Sequence, residues 1–274
     1  MKKIRLDQLL VERGLADSRS LAQRLVMAGQ IRVNGETVLR SAANVASDVH
    51  LEVEPGPRFV SRGGEKLEAA LQAFELGVSE QICADVGSST GGFTDCLLQH
   101  AAAKVYAIDV GQGILDWKLR RDRRVVVMEG TNARYLERLP EPVDMITVDA
   151  SFISLRVLLP VIKNWFLIDI NNSKASKGKI IALIKPQFEA GRQQVGRGKG
   201  VIRDPAIHRQ VLMDVLNYAL LQGYGIRGLI RSPLIGPKGN VEFLTWLEYT
   251  DKQTDPLDGL VDLVLQEIHS GGPA

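Results

Sequence analysis

Four ionisable side chains stand where a sheet would present them to a ligand. Asp149 closes the run VDMITVD, Lys185 closes KIIALIK, Glu242 opens a late strand-like run, and Lys66 lies on a helix-like segment ahead of the first strand. Open α/β sheets bind ligands at the carboxyl ends of their strands, which makes these candidate catalytic positions. Taken singly, each reads as a cap or a solvated charge, since Asp and Lys are mostly exposed. Together, two amines and two carboxylates could orient a poor nucleophile and take its proton, provided that a lysine gives up its own proton. Crowded amines lower a lysine's pKa and neighbouring carboxylates raise it, and residue types alone leave open which effect wins.

A second constellation lies earlier. The strand-like ICADV runs into Gly87-Ser88-Ser89-Thr90-Gly91-Gly92-Phe93 and then a helix-like segment. Glycines at a strand-to-helix turn let a ligand approach the backbone closely. Asp109, ending KVYAID, could accept hydrogen bonds from the ribose hydroxyls of a nucleoside, and the interval from Asp85 to Asp109 fits one βαβ step. The turn has neither the GxGxxG spacing of dinucleotide folds nor the Lys-Ser/Thr of a phosphate loop, which disfavours a pyrophosphate ligand.

The elements that must carry these groups follow from periodicity. ICADVG, KVYAIDVG, VVVMEG, VDMITVDA and KIIALIKP read as buried strands alternating with helical stretches, which argues for a parallel sheet with helices on both faces. Residues 204–222 have helical spacing and stop at Gly223; IRGLI and NVEFLTWLEY then read as two final strands forming an antiparallel edge. At the front, residues 5–28 predict two short helices broken at Gly14, with Asp17 or Ser18 as N-cap. Asn34-Gly35 between apolar runs predicts a hairpin, a further alternating run follows at 50–54, and Pro55-Gly56-Pro57 marks a boundary.

Composition bounds the rest. With 45% hydrophobic and 24% charged residues over 274 positions the chain is an ordinary globular protein, and a net charge of +2 does not by itself imply nucleic acid. The distribution is uneven: residues 1–40 carry eight basic side chains against four acidic ones. Cys83 and Cys96 lie in apolar surroundings with no second pair and no histidine nearby, so they are expected to be reduced core residues, and no metal is expected. The N-terminus has no apolar core of a secretory signal and no run approaches a membrane span, which predicts a cytoplasmic protein.

The run RLDQLLVERGLADSRSLAQRLVMAGQIRVNGETV resembles the S4 RNA-binding domain across most of residues 4–54. The resemblance implies that Arg5, Arg13, Arg19 and Arg24 meet RNA phosphates, where guanidinium groups can bind bidentately. DVGSSTGGFTDCLL followed by VYAIDVG resembles the first two motifs of class I S-adenosylmethionine methyltransferases. That implies Asp85 and Gly87 near the methionine part of the cofactor, with Ser88, Gly91, Gly92 and Phe93 completing the turn, Asp109 at the ribose, and Asn132, after the third strand, at the adenine edge.

SRGGEKL, TVDAS, IKPQFE and NVEFLTW resemble the Lys-Asp-Lys-Glu set of FtsJ-like ribose 2′-O-methyltransferases, which implies Lys66, Asp149, Lys185 and Glu242 as the catalytic tetrad. With an S4 domain in front, the layout is similar to the TlyA family of ribosomal RNA cytidine 2′-O-methyltransferases, sometimes labelled hemolysins. The implied architecture is an S4-like α+β domain over 1–57 and a Rossmann-like class I methyltransferase domain over 58–274, with a mostly parallel seven-stranded sheet. The implied partners are S-adenosylmethionine and 16S or 23S ribosomal RNA, or the ribosomal subunits, without stable membrane association. The glycine-rich segment 191–203, with Arg192 and Arg197, is expected to flank the RNA entrance. Where that family's linker commonly has tryptophan, this chain has Phe59.

Three rival readings remain, one of them a methyltransferase for a small molecule or a protein, which the fold alone does not exclude and the S4-like front end disfavours. A membrane-active protein would need a spanning or amphipathic helix, for which residues 256–269 are the candidate, but that run is acidic and is expected to pack on the domain. A noncatalytic ribosome-assembly factor would keep the fold without its chemistry, and the complete tetrad argues against it.

Overall fold

The structure is a computed structural model of the chain and describes residues 3–166, 178–191, 195–196, 198–236, 238–249 and 256–269. It divides into two compact units, Met1–Arg58 and Phe59–Ala274.

In the first unit, β1 (Lys3–Arg5), α1 (Leu6–Glu12) and α2 (Arg19–Met27) precede four short strands, β2 (Ile31–Val33), β3 (Glu36–Thr37), β4 (Asn44–Ala46) and β5 (Leu51–Val53). Ser18 caps α2, its hydroxyl accepting from the Leu21 amide at 3.2 Å. Asn34 and Gly35 both take positive φ, 52° and 85°, as a two-residue hairpin turn of matching twist requires, and they join β2 to β3. β2 also pairs β5. The β1–β4 ladder was invisible in the sequence because three-residue strands show no usable alternation. Leu6, Leu10, Ala16, Ala22, Val26 and Ile31 form a core of their own.

The second unit runs α3 (Gly63–Ala73), β6 (Ile82–Val86), α4 (Gly92–Gln99), β7 (Lys104–Ile108), α5 (Trp117–Arg120), β8 (Val125–Met128), β9 (Met145–Val148), α6 (Leu155–Ile162), β10 (Gly178–Ile184), α7 (Pro186–Glu189), α8 (Pro205–Leu221), β11 (Tyr224–Arg231), β12 (Phe243–Tyr249) and α9 (Leu257–His269). Among the described residues its strands form a seven-stranded sheet in the order β11-β12-β10-β9-β6-β7-β8. The chain winds outward from β6 through β7 to β8, then returns to β9, so a crevice opens at the carboxyl ends of β6 and β9. Alternation along β10 sends Ile180, Ala182 and Ile184 into the core beneath α6, α8 and α9, and Ile181 and Leu183 into the core beneath α3 and α4.

The last two strands form the antiparallel edge read from the sequence: β12 runs against both its neighbours, inserted between β10 and the edge strand β11. Because β12 is reversed, its start lies at the carboxyl ends of the other strands, and that is where Glu242 stands. Within residues 256–269, α9 packs on the domain as its acidic composition suggested: its apolar face (Leu257, Val261, Val264 and Leu265) is buried in the core, and Arg209 of α8 binds Asp262 on it at 2.9 Å. Its apolar side is thus spent on the fold, and among the described residues no helix is long and apolar enough to cross a membrane.

Phe59 is buried in the second unit. Its ring lies against Gly64, where a β-carbon would strike it, so the aromatic at the linker belongs to the core beside α3.

Candidate active site

The four ionisable residues meet. Lys185 Nζ lies 2.5 Å from Asp149 Oδ1 and 3.0 Å from Ser151 Oγ. Lys66 Nζ donates to Glu242 Oε2 at 2.6 Å and stands 4.0 Å from Asp149 Oδ2. Glu242 is almost wholly buried, and its other oxygen accepts from Gln187 Nε2 at 3.2 Å. Asp149 therefore bridges two lysines, and each lysine has one close carboxylate, so the charges balance where burial would otherwise be costly. Each side chain is placed by its element: Asp149 and Lys185 by adjacent parallel strands, Glu242 by the reversed strand, and Lys66 by the first turn of α3.

The tetrad forms one wall of a cavity of about 770 Å³ that is also lined by Arg62, Ser88, Phe152, Phe188 and Lys238. Phe152 is 91% exposed with φ of 63°, a conformation that a bulky residue holds only under constraint, and its ring centroid is 5.0 Å from that of Phe188. Lys185 Nζ lies 5.7 Å from the Phe188 ring. Ser151, Gln187, Phe152 and Phe188 were missed in the sequence. Ser151, Gln187 and Phe188 show only as ordinary residues inside the quoted motifs and Phe152 directly follows one, and nothing local marks any of them as facing a cavity.

A second cavity of about 300 Å³ adjoins the first, sharing Gly87, Ser89, Asp149, Ser151 and Phe152 with it and reaching Asp109, Thr131 and Asn132. Gly87 has φ of 82°, and a β-carbon there would come within 2.7 Å of the Asp149 carbonyl oxygen. The turn and the end of β9 are in contact only because residue 87 lacks a side chain. Asp109 accepts the amides of Ser89 at 2.8 Å and Gly111 at 2.7 Å, one on each oxygen, which orients the carboxylate and leaves further lone pairs for hydroxyl donors. Asn132 Oδ1 accepts from the Arg134 amide at 3.1 Å, so its side-chain carbonyl caps a 3-10 turn, and the residue borders the cavity. A nucleoside with an adjoining amino-acid chain fits this donor and acceptor set, with hydroxyls at Asp109 and the chain along the glycine turn.

Ser88, Gly92 and Phe93 line the larger cavity. Asp85 and Gly91 line neither. Asp85 is fully buried beneath the turn, where Thr94 Oγ1 donates to it at 2.7 Å and Thr147 Oγ1 at 3.0 Å. Burial pushes its carboxyl up to about 7, against the opposing pull of the two hydroxyls. Gly91, with φ of 97°, makes room for Leu115 and Leu119. Both support the turn from behind, a distinction that spacing could not make.

In the N-terminal unit, Arg5 and Arg19 converge on the buried Asp7, at 2.8 and 3.0 Å. Arg5 first, with Gln23 and Arg19, holds that carboxyl well below the usual range. Arg13 donates to the Ser47 and Val49 carbonyls at 2.6 Å each. Arg24 is exposed and pairs with no group among the described residues. Arg192 and Arg197 lie outside the described residues.

The sequence reading that no histidine lies near a cysteine is also corrected. His100, four residues after Cys96, places Nε2 2.6 Å from Glu68 Oε2, and Cys96 Sγ lies 3.7 Å from the same oxygen, tying α4 to α3. Cys83 is buried, and burial pushes its thiol up to about 12, with Asp144 adding to the shift.

A seven-stranded sheet with its one reversed strand in the penultimate position, a glycine turn after the first strand and an acid after the second, defines a class I methyltransferase. The chain belongs to the FtsJ-like methyltransferase family, whose model matches residues 59–249, and within it to the TlyA group, an S4 domain model matching residues 4–48. Its cofactor is S-adenosylmethionine. Among relatives, the chain is 47% identical to YqxC of Bacillus subtilis over 90% of this chain and 86% of that one. It is 42% identical to the 16S/23S rRNA (cytidine-2′-O)-methyltransferase TlyA of Mycobacterium tuberculosis, over 98% and 99%. A solved structure of a Streptococcus thermophilus protein bearing the hemolysin name is 41% identical and superimposes with a TM-score of 0.73, covering 98% of this chain and 97% of that one.

Proposed function

We propose that this protein methylates the 2′-hydroxyl of a cytidine ribose in ribosomal RNA, acting in the cytoplasm on 16S or 23S RNA within ribosomal subunits, with residues 1–57 gripping RNA and 58–274 carrying the chemistry. The observation that carries the reading is the single network formed by Lys66, Asp149, Lys185 and Glu242 where the two cavities meet. S-adenosylmethionine, when bound, supplies an electrophilic methyl group on a sulfonium.

The remaining work falls to this chain's own residues. Asp109 accepts the hydroxyls of the cofactor's ribose, Asn132 meets its adenine, and the turn from Gly87 to Phe93 backs its methionine part, with Asp85 holding the turn from beneath. Lys185 orients the target 2′-hydroxyl by a hydrogen bond and takes its proton as the oxygen is alkylated, and Asp149 stabilises the ammonium so formed. Lys66 and Glu242 keep Asp149 and the floor of the site in place. Phe152 and Phe188 offer aromatic faces for a base turned out of its stack, since chemistry inside RNA structure requires extrusion of the target nucleotide. Arg24, and the unshared faces of Arg5, Arg13 and Arg19, take phosphates.

The test is transfer of labelled methyl to unmodified ribosomal subunits by wild type and by Lys185→Ala. A general-base contribution of about 10²- to 10⁴-fold predicts that Lys185→Ala loses turnover to that extent while cofactor affinity stays unchanged. Full turnover by the variant sinks the assignment of Lys185. Absence of 2′-O-methyl nucleotide from wild-type reactions sinks the substrate class.

A further inference from the structure

The segment WKLRRDRR, residues 117–124, carries five cations and a tryptophan. Three of the five are neutralised within the fold: Lys118 by Asp95 at 3.1 Å, Arg120 by Glu129, and Arg124 by Asp122 at 2.8 Å. Arg121 and Arg123 are exposed and pair with no group among the described residues. Trp117 is 70% exposed, although an indole is among the side chains with most to gain from burial. Trp117 opens the one-turn helix α5, and Arg121, its C-cap in the αR conformation, lies four residues on, so the two project from the same side of the turn.

That turn is fixed to the site. On its inner side Leu119 is buried against Gly91, which has no β-carbon to obstruct it. The Asp116 amide donates to the Thr90 carbonyl at 3.1 Å, and Thr90 lines the larger cavity. The exposed face of α5 therefore extends outward from the glycine turn on a rigid support, presenting an aromatic plane with the unneutralised Arg121 on the same side and the exposed Arg123 two residues further along the chain.

We propose that Trp117, Arg121 and Arg123 form a second RNA contact, on which unpaired nucleotides flanking the target stack and lay their phosphates. The chemistry selects single-stranded nucleic acid, because stacking on an indole needs an unstacked base and the adjacent cations need a polyanion. This inference rests on the RNA reading of the site given above.

The experiment compares wild type, Trp117→Ala, Trp117→Phe and Arg121→Ala/Arg123→Ala for cofactor affinity, kcat and KM on ribosomal subunits, and the salt dependence of RNA binding. Loss of one stacked base, worth about 1–3 kcal/mol, is about a 5- to 150-fold rise in KM for Trp117→Ala. Cofactor affinity and kcat should be unchanged and KM largely restored in Trp117→Phe. Removing two phosphate contacts should flatten the slope of log K against log salt by about 1.4, at about 0.7 per contact on single strands. Wild-type KM and slope in these variants would overturn the platform. So would weakened cofactor binding in Trp117→Ala, which would assign the indole to the cofactor site. If wild type itself binds and methylates no ribosomal RNA, the reading of the site fails first and this inference with it.

Discussion

Asp85 shows how one residue's surroundings set its part in the molecule. An acid in the last, turn-facing part of β6 reads from the sequence as a ligand group, yet it is sealed beneath the turn with Thr94 and Thr147 donating to its two oxygens. Its carboxyl ionises near 3.8 in an unfolded chain and at about 7 here. Between those values the folded protein keeps a proton that the unfolded chain has released, so this group's contribution makes stability fall as pH rises from about 4 to about 7, by roughly 1.4 kcal/mol per pH unit crossed at most. Glu189, also raised by burial, acts in the same direction. Urea midpoints of wild type and Asp85→Asn at pH 4.5 and 7.5 should show the decline reduced in the variant. An equal decline in both would mean that Asp85 is ionised throughout. Lys185 belongs to the same scale: it lines the larger cavity with its nitrogen on Asp149 and Ser151, which both cavities share, and removal of that nitrogen is the most direct test of the chemistry.

At the scale of elements, the site depends on close approaches between backbones. The turn after β6 touches the end of β9 at Gly87, and α4 meets α3 at Gly92, where a β-carbon would lie 2.8 Å from the Gly64 amide nitrogen. Gly87→Ala must both accommodate a positive φ and displace the Asp149 carbonyl, and the conformational part alone costs roughly 1–2 kcal/mol. Cofactor affinity measured by calorimetry should therefore fall by about tenfold or more, with kcat falling too because Asp149 follows its own carbonyl. Unchanged affinity would show that the turn yields without affecting the site. Reversal of β12 is the other element-level device, since a parallel strand in that slot would carry Glu242 to the far edge of the sheet.

At the scale of the whole molecule, the two units have separate cores, Leu6 to Ile31 in one and the two layers flanking the seven-stranded sheet in the other. A fragment comprising residues 59–274 should fold cooperatively and bind S-adenosylmethionine with the affinity of the full chain. Its KM for ribosomal subunits should rise by about tenfold or more and its salt dependence weaken, because phosphate contacts are lost. Wild-type KM in the fragment would show that the front unit does not grip substrate, and loss of cofactor binding would show that the second unit is incomplete alone.

Much of this was legible from the residues alone because the signals are local. Buried parallel strands read as apolar runs, glycines mark the turn, Asn34-Gly35 marks a hairpin, and strand-end charges mark the edge where ligands sit. Families that share those signals supply the tetrad and the cofactor. Tertiary structure alone decided how the four charges pair, that Asp85 and Gly91 support the turn from behind while Asp109 faces the cavity, and that Arg5 and Arg19 are tied to Asp7. It also decided that β12 lies inside the sheet and that His100 meets Cys96 through Glu68. Each of these depends on groups far apart in sequence being brought within a few ångströms, where hydrogen bonding and burial act, and no local pattern of residues encodes that distance.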